Sequence, residues 1–199
     1  MRILVIGASG TIGKAVVTAL NSDHEVVTAN HNSGDFQVNL ESKDSIETLF
    51  NQAGEFDAII SAAGQAAFGA LAEQTDADYQ LALNNKLMGQ INLAKAAIKH
   101  LSAGGSITLT SGILSRYPLP GSASIAMANG ALESYVRAAA LEIENARLNV
   151  VAPAFVKETM EMMGMDSSSG ISAADTAKTY LAAIAGDMHG ETLDVIDQN

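Results

Sequence analysis

The sequence contains no cysteine, so it can form neither a disulfide framework nor a thiolate metal site. It also lacks tryptophan, and aromatic residues make up only 5% of the chain. Its four histidines are scattered along the sequence, a distribution that does not indicate a zinc site. We therefore expect no bound metal.

Basic residues are scarce as well. Eleven Lys and Arg stand against 22 Asp and Glu, and the formal net charge is -11. This charge disfavours nucleic acid and anionic membranes as partners, because both require a basic surface. No apolar run approaches the roughly 20 residues that span a bilayer, and the N-terminus does not resemble a signal peptide. We expect a cytoplasmic protein.

Hydrophobic residues form 48% of the 199 residues, which is enough for one sizeable core and short for two domains. We therefore expect a single domain over residues 1–199.

The clearest pattern lies at the start of the chain. Four apolar residues, Ile3–Ile6, indicate a strand buried on both faces, and a helical pattern follows through Leu20 and should fade near residues 21–23. Between them, Gly7 allows a tight turn, Gly10 leaves the backbone bare for a pyrophosphate, and Gly13 lets the helix pack closely. The segment therefore predicts a nucleotide-binding turn.

The first amides of such a helix have no internal partners and lie at its positive end, so they favour an anion. A Walker loop would require a glycine five residues before Gly13 and a hydroxyl residue after Lys14, but Ala8 and Ala15 occupy these places. The remaining alternative is an ordinary glycine-rich turn between strand and helix.

The end of the second predicted strand indicates which dinucleotide would bind. In dinucleotide folds, an Asp or Glu about 20 residues past the glycines binds the ribose 2′-hydroxyl and repels a 2′-phosphate. Here the side chains are Asn30, His31, Asn32 and Ser33, and the first carboxylate is Asp35. We expect NADP, with NAD as the alternative because no Arg is present to pair with the phosphate.

Strands and helices alternate through the rest of the chain, and this order predicts an α/β fold with a doubly wound parallel sheet. Further strands are predicted over residues 24–29, 35–40, 55–61, 106–112, 148–152 and 192–196. Helices are predicted from about 42–44 to 50, and over 76–100, 124–145 and 173–185. The segment 157–172 contains four Met and several Ser and Gly, which suits either a lid over a pocket or a flexible surface loop.

These residues resemble the short-chain dehydrogenase/reductase family over nearly the whole chain. The resemblance rests on the three spaced glycines, Ala62-Ala63-Gly64, Thr110-Ser111, Pro153-Ala154 and Leu193-Asp194-Val195. It implies a Rossmann-type sheet of order 3-2-1-4-5-6-7 with helices on both faces. It also implies a small-molecule substrate and a homodimer or homotetramer formed through the helices at 76–100 and 124–145.

The resemblance further implies that NAD(P) lies across the carboxyl ends of the strands. The expected cofactor-binding residues are Gly7, Ser9, Gly10, Thr11, Ile12, Gly13, Asn30, His31, Asn32, Ser33, Asn39, Leu40, Ala62, Ala63, Gly64, Pro153, Ala154 and Val156.

The catalytic set departs from the family pattern of Tyr-x-x-x-Lys with an upstream Ser and Asn. Ile125 and Asn129 occupy the expected Tyr and Lys places, and Lys86 occupies the Asn place. One hypothesis is an NAD(P)-dependent oxidoreductase of a small carbonyl or alcohol, in which Ser111 orients the carbonyl and Lys86 and Tyr117 supply charge or protons. The alternatives are an inactive NADP-binding redox sensor or regulatory subunit, and a scaffold dimer that binds no nucleotide. Each of the three residues also has an ordinary structural alternative: Lys86 as a solvated helix residue, Tyr117 as a packed loop aromatic and Ser111 as a strand-end cap.

Overall fold

In a computed structural model that describes residues 1–20 and 23–195, seven strands form one sheet with helices on both sides. The strands are β1 (Arg2–Ile6), β2 (Glu25–Asn30), β3 (Phe36–Gln37), β4 (Phe56–Ser61), β5 (Leu101–Thr110), β6 (Arg147–Pro153) and β7 (Thr192–Val195). The helices are α1 (Thr11–Leu20), α2 (Lys43–Ala53), α3 (Asp76–Leu81), α4 (Gly89–Ala97), α5 (Ala123–Ala140), α6 (Lys157–Met162) and α7 (Ala173–Ala185).

The sheet has the order β3-β2-β1-β4-β5-β6-β7, and every neighbouring pair is parallel. This confirms the predicted fold class and strand order. Because all strands run the same way, the carboxyl ends of β1, β2, β4, β5 and β6 open at one edge of the sheet.

Alternating side chains of β1 separate the two halves of the core. Leu4 and Ile6 pack into a cluster with residues of α2, α4 and α5, whereas Ile3 and Val5 pack into a second cluster with residues of α1 and α7. Both sets are essentially fully buried, as the unbroken apolar run predicts for a strand covered on both faces.

The third strand is much shorter than predicted. Only Phe36–Gln37 pair as a strand, instead of residues 35–40. The carboxylate of Asp35 is held by Thr28, and the amide of Asn39 donates to the Ser45 hydroxyl near the start of α2. The backbone amides of Thr28 and Asn39 thus donate to side chains, whereas in a longer edge strand such groups would pair with the backbone of a neighbouring strand.

The long helix predicted at 76–100 is interrupted by a π-helical segment, Ala82–Met88, and ends in a 3₁₀ turn, Ile98–His100. The helix predicted at 124–145 ends at Ala140. Residues 141–143 form tighter turns, in which each amide donates to the carbonyl three residues earlier. The ring Nε2 of His189 lies 2.9 Å from the Ala140 carbonyl oxygen at this helix end. The first helix is described to Leu20, and residues 21, 22 and 196, on which two predicted ends fall, lie outside the described residues.

Part of the segment predicted as a lid or flexible loop is helical, since α6 begins at Lys157 and the side chain of Met160 is buried. Within the described ranges, no helix is both long enough and apolar enough to cross a membrane.

Candidate active site

Two adjoining depressions lie at the carboxyl edge of the sheet. The outer groove has a volume of about 460 Å³, and the inner cleft about 300 Å³. The outer groove is lined by Ile6, Gly7, Ser9, Gly10, Asn30, His31, Val38, Asn39, Leu40, Glu41, Ala62, Ala63, Gly64, Gln65 and Asn85. The inner cleft is lined by Ile12, Ala62, Ala63, Gly64, Lys86, Thr110, Ser111, Gly112, Ile113, Leu114, Ile125, Asn129, Pro153, Ala154, Phe155, Val156 and Thr159. Because Ala62, Ala63 and Gly64 border both, the two depressions are neighbours.

The turn between β1 and α1 requires two of its three glycines for its own packing. Gly7 has φ +80°, and a Cβ there would lie 2.7 Å from the Ala62 carbonyl oxygen. A Cβ on Gly13 would lie 2.0 Å from the Gly7 carbonyl oxygen. A Cβ on Gly10 would meet its nearest neighbour at 3.4 Å, an ordinary contact, so the protein's own packing does not explain this glycine.

The first amides of α1 are available to a ligand. Among the described residues, no protein acceptor takes a hydrogen bond from the amides of Thr11, Ile12 or Gly13, which begin the helix. Unpaired amides at the positive end of a helix form a site for an anionic group such as a diphosphate. The exposed Gly10 lies directly before them.

The end of β2 carries no carboxylate. The Asn30 side-chain oxygen accepts a hydrogen bond of 2.8 Å from the Ser9 amide, so it fixes the glycine turn. The nearby Asp35 faces the Thr28 amide and hydroxyl, which lower the pKa of the Asp35 carboxyl. His31 is exposed and lines the outer groove.

Lys86 is a buried amine in the inner cleft. It lies in the π-helical segment, and only 6% of its surface is exposed. Its Nζ lies 3.2 Å from the Ser111 carbonyl oxygen and 3.5 Å from that of Thr110. Burial lowers the pKa of Lys86 to about 8, because the low-dielectric interior disfavours the charged form. An amine with this pKa can give and take a proton near neutral pH.

Gln90 fixes the strand end that holds Lys86. Its amide donates to the Thr110 carbonyl and accepts from the Thr110 amide, both at 2.8 Å, and it also donates to the Lys86 carbonyl. The Thr110 hydroxyl bonds to the Ser61 carbonyl and to the buried Tyr180 phenol. Gln90 therefore holds the Thr110 carbonyl that faces the Lys86 amine.

Ser111 lines the cleft, but its hydroxyl donates to the buried carboxylate of Glu133 at 2.9 Å. Ser115 donates to the same oxygen at 2.8 Å, and Arg116 bridges Glu133 to Asp194 on β7. These contacts tie the turn after β5 to α5 and β7, and they hold one wall of the cleft.

Two side chains of α5 at the positions where the resemblance led us to expect Tyr and Lys face the inner cleft. Ile125 and Asn129, one helical turn apart, both line it. Asn129 is almost fully buried, and its side-chain oxygen has no partner among the described residues. Tyr117 is 66% exposed and lines neither depression.

The structure thus brings most of the predicted site residues together. Gly7, Ser9, Gly10, Asn30, His31, Asn39, Leu40, Ala62, Ala63 and Gly64 line the outer groove, and Ile12, Lys86, Ser111, Pro153, Ala154 and Val156 line the inner cleft. Thr11, Gly13, Asn32, Ser33 and Tyr117 line neither, although Thr11 and Gly13 belong to the helix start beside them.

Sequence reasoning missed Glu41, Asn85, Gln90 and Glu133. Asn85 donates to Glu41 and accepts from the Gln65 amide across the outer groove. No spacing rule identifies these polar residues, because each acts through a partner distant in sequence. In the part of the chain that the structure describes, no three His, Asp or Glu side chains converge to hold a metal ion.

A family model described as enoyl-(acyl carrier protein) reductase matches residues 8–188. An uncharacterised oxidoreductase of Methylorubrum extorquens is 28% identical, over 84% of this chain and 79% of its own length. A trihydroxynaphthalene reductase of Pestalotiopsis fici is 30% identical over 74% of this chain. The match covers only 57% of that reductase, so the chain spans little more than half its length.

Solved structures give longer matches. A Listeria innocua protein, lin1944, is 39% identical with a TM-score of 0.93, and the match covers 98% of this chain and 99% of that one. A small-chain dehydrogenase in complex with NADPH is 28% identical with a TM-score of 0.89, over 98% and 96% of the two chains. The similarity to both extends over nearly the whole chain.

The lowered pKa of Lys86 predicts a dependence of stability on pH. Between about pH 8 and pH 10.5 the unfolded chain holds this proton while the folded chain does not, so this residue makes folding more favourable as pH rises. We expect the free energy of unfolding of the natural chain, relative to Lys86→Met, to increase by about 2 to 3 kcal/mol from pH 7 to pH 10. Urea unfolding of both proteins at each pH measures this difference.

A difference that stays constant across this range would contradict a lowered pKa at Lys86. Lys95→Met, at an exposed position of α4, is the matched control and should show no such change.

Proposed function

We propose that this chain, which belongs to the short-chain dehydrogenase/reductase family, is an NADP(H)-dependent oxidoreductase that acts on a small carbonyl or alcohol. The proposal rests on one observation, which is that three features lie side by side along one edge of the sheet. Unpaired helix amides lie beside an outer groove, and the groove adjoins a cleft that contains a buried amine of lowered pKa. The NADPH complex of a relative supports the choice of dinucleotide.

The residues present fit a dinucleotide. Gly10 leaves space that the protein's own packing does not require, and the amides of Thr11 and Ile12 offer donors to a diphosphate. The outer groove would hold the adenosine half. The cleft segment from Pro153 to Val156 would hold the nicotinamide half, which when bound supplies or accepts a hydride.

Lys86 would exchange the proton that accompanies hydride transfer. Its ammonium form can donate to a carbonyl oxygen during reduction, and its amine form can accept a proton from an alcohol during oxidation. The buried position of the amine and the apolar wall formed by Ile113, Leu114 and Ile125 would limit water around it. A cleft of about 300 Å³ that also receives the nicotinamide half leaves room for a small substrate only.

An NADP-binding sensor without turnover is the second candidate. Two observations favour it: Ile125 and Asn129 face the cleft and offer no acid or base, and the Ser111 hydroxyl is already donated to Glu133. Both candidates require dinucleotide binding, so they differ only in whether hydride transfer follows.

Gly10→Ala tests dinucleotide binding. The added methyl group meets the protein only at 3.4 Å, so we expect an unchanged fold. It occupies the space over which a diphosphate would approach, and we expect the Kd for NADPH to rise at least about tenfold, a loss of about 1.4 kcal/mol. Titration calorimetry measures both proteins.

Gly130→Ala on α5 is the matched control, because a Cβ there meets nothing closer than 3.9 Å, and it should bind as the natural chain does. The absence of any heat with NADPH or NADH would refute both candidates and favour the scaffold. Equal affinity in Gly10→Ala would refute this position for the diphosphate.

Oxidation of NADPH in the presence of aldehydes, ketones and quinones tests turnover. We expect reduction of at least one member of this panel, with kcat/KM falling as pH rises through about 8 because the proton donor is lost. Lys86→Ala should lower kcat by about 10² or more while NADPH still binds, and Lys95→Ala should not.

Binding of NADPH without turnover of any compound would favour the sensor. Turnover that is unchanged in Lys86→Ala would contradict the role given to Lys86.

A further inference from the structure

Among the described residues, the amine of Lys86 has no charged partner. Its Nζ contacts two neutral oxygens, the carbonyls of Ser111 at 3.2 Å and Thr110 at 3.5 Å. In residues 1–20 and 23–195, no Asp or Glu oxygen lies within 4.0 Å of this nitrogen. An adjacent carboxylate would hold a buried lysine in its charged form, and Lys86 lacks this stabilisation.

Of the described side chains that line the inner cleft, only that of Lys86 is an acid or a base. The cleft is otherwise polar only at four neutral side chains, those of Thr110, Ser111, Asn129 and Thr159. The nearby Glu133 carboxylate is bonded to the Ser111 hydroxyl and paired with Arg116. Burial lowers the pKa of Lys86 to about 8, so about a tenth of this residue is uncharged at pH 7. An uncharged amine is a nucleophile towards a carbonyl carbon.

The stem and the backbone of Lys86 are both held beside the cleft. Gly64 has φ +131° and packs against the stem, because a Cβ on this glycine would lie 3.2 Å from the Lys86 Cα and Cγ. The Lys86 carbonyl accepts a hydrogen bond of 3.1 Å from the Gln90 side chain. The amine is therefore kept at the cleft instead of moving freely in solvent.

We propose that Lys86 is a site of reversible covalent binding for small aldehydes, which its amine takes up as an imine. This inference goes beyond the proposed function and does not depend on it, because no dinucleotide takes part. In the proposed function, the ammonium form of Lys86 gives a proton to a carbonyl oxygen. Here the uncharged amine attacks the carbonyl carbon instead.

The reaction is a condensation in which nothing is oxidised or reduced. The Lys86 nitrogen forms a bond to the aldehyde carbon to give a carbinolamine, and the carbon–oxygen bond then breaks. The aldehyde oxygen leaves as water with the two hydrogens of the amine. When solvent protonates the imine, its one N–H group can donate to the Ser111 carbonyl oxygen, which lies 3.2 Å from the unreacted Nζ. Since no carboxylate or imidazole lines the cleft to remove a further proton, the reaction stops at this adduct, and water reverses it.

Reductive trapping tests this inference on the whole protein without dinucleotide. The protein is treated with a limiting amount of propanal and with sodium cyanoborohydride at pH 7. Hydride from the reagent converts the protonated imine into a stable secondary amine, and peptide mass spectrometry locates the label. We expect Lys86 to be labelled at least about tenfold faster than Lys95, which is exposed on α4, because a solvated lysine amine is almost entirely protonated at this pH.

The unfolded protein and one variant are the controls. In guanidinium chloride the difference between the two lysines should disappear, because it depends on burial. Lys86→Arg should lose the fast label and keep the slow labelling of Lys95. Labelling of Lys86 no faster than Lys95 in the folded natural chain would overturn the inference, as would an equal preference in the unfolded chain. Either result leaves the proposed function standing, whereas a failure to bind NADPH would refute that function and leave the adduct at Lys86 unaffected.

Discussion

The close contact between Gly13 and the carbonyl of Gly7 sets how near α1 lies to the end of β1. With a side chain at Gly13, the start of α1 would have to move away from the end of β1. Because no side chain intervenes, the positive end of the helix lies at the edge where the seven parallel strands end. The Asn30 side chain fixes this turn further by binding the Ser9 amide.

The inner cleft depends on a second set of restraints. A π-helical segment places Lys86 against the end of β5, where Gln90 fixes the Thr110 carbonyl that faces its amine. Insertions of this kind in helices are frequent at functional sites. Glu133 holds the turn after β5 through Ser111 and Arg116. The polar groups around the cleft are thus mostly hydrogen-bonded to one another, and burial lowers the pKa of the Lys86 amine that faces them.

The fold was predictable because its signals are local. The run Ile3–Ile6 and the three glycines identify the strand, the turn and the helix from adjacent residues, and the alternation of elements gives the parallel sheet. The π-helical segment was not predictable, since it keeps the same apolar spacing as the α-helix around it. The extent of β3 was also missed, because it is set by side chains of Asp35 and Asn39 that compete with strand pairing. The sequence positions of Lys86 and His31 were enough to predict that both lie beside these depressions. The hydrogen bond from the Ser111 hydroxyl to Glu133 was not predictable, because it joins residues 22 positions apart.

We propose that the unpaired amides at the start of α1 bind a diphosphate, and a crystal structure of the protein grown with NADP⁺ would show whether they do. We expect diphosphate oxygens within hydrogen-bond distance of the Thr11 and Ile12 amides, with the nicotinamide half in the cleft that contains Lys86. Dinucleotide bound elsewhere on the protein, or protein side chains occupying those amides, would contradict it.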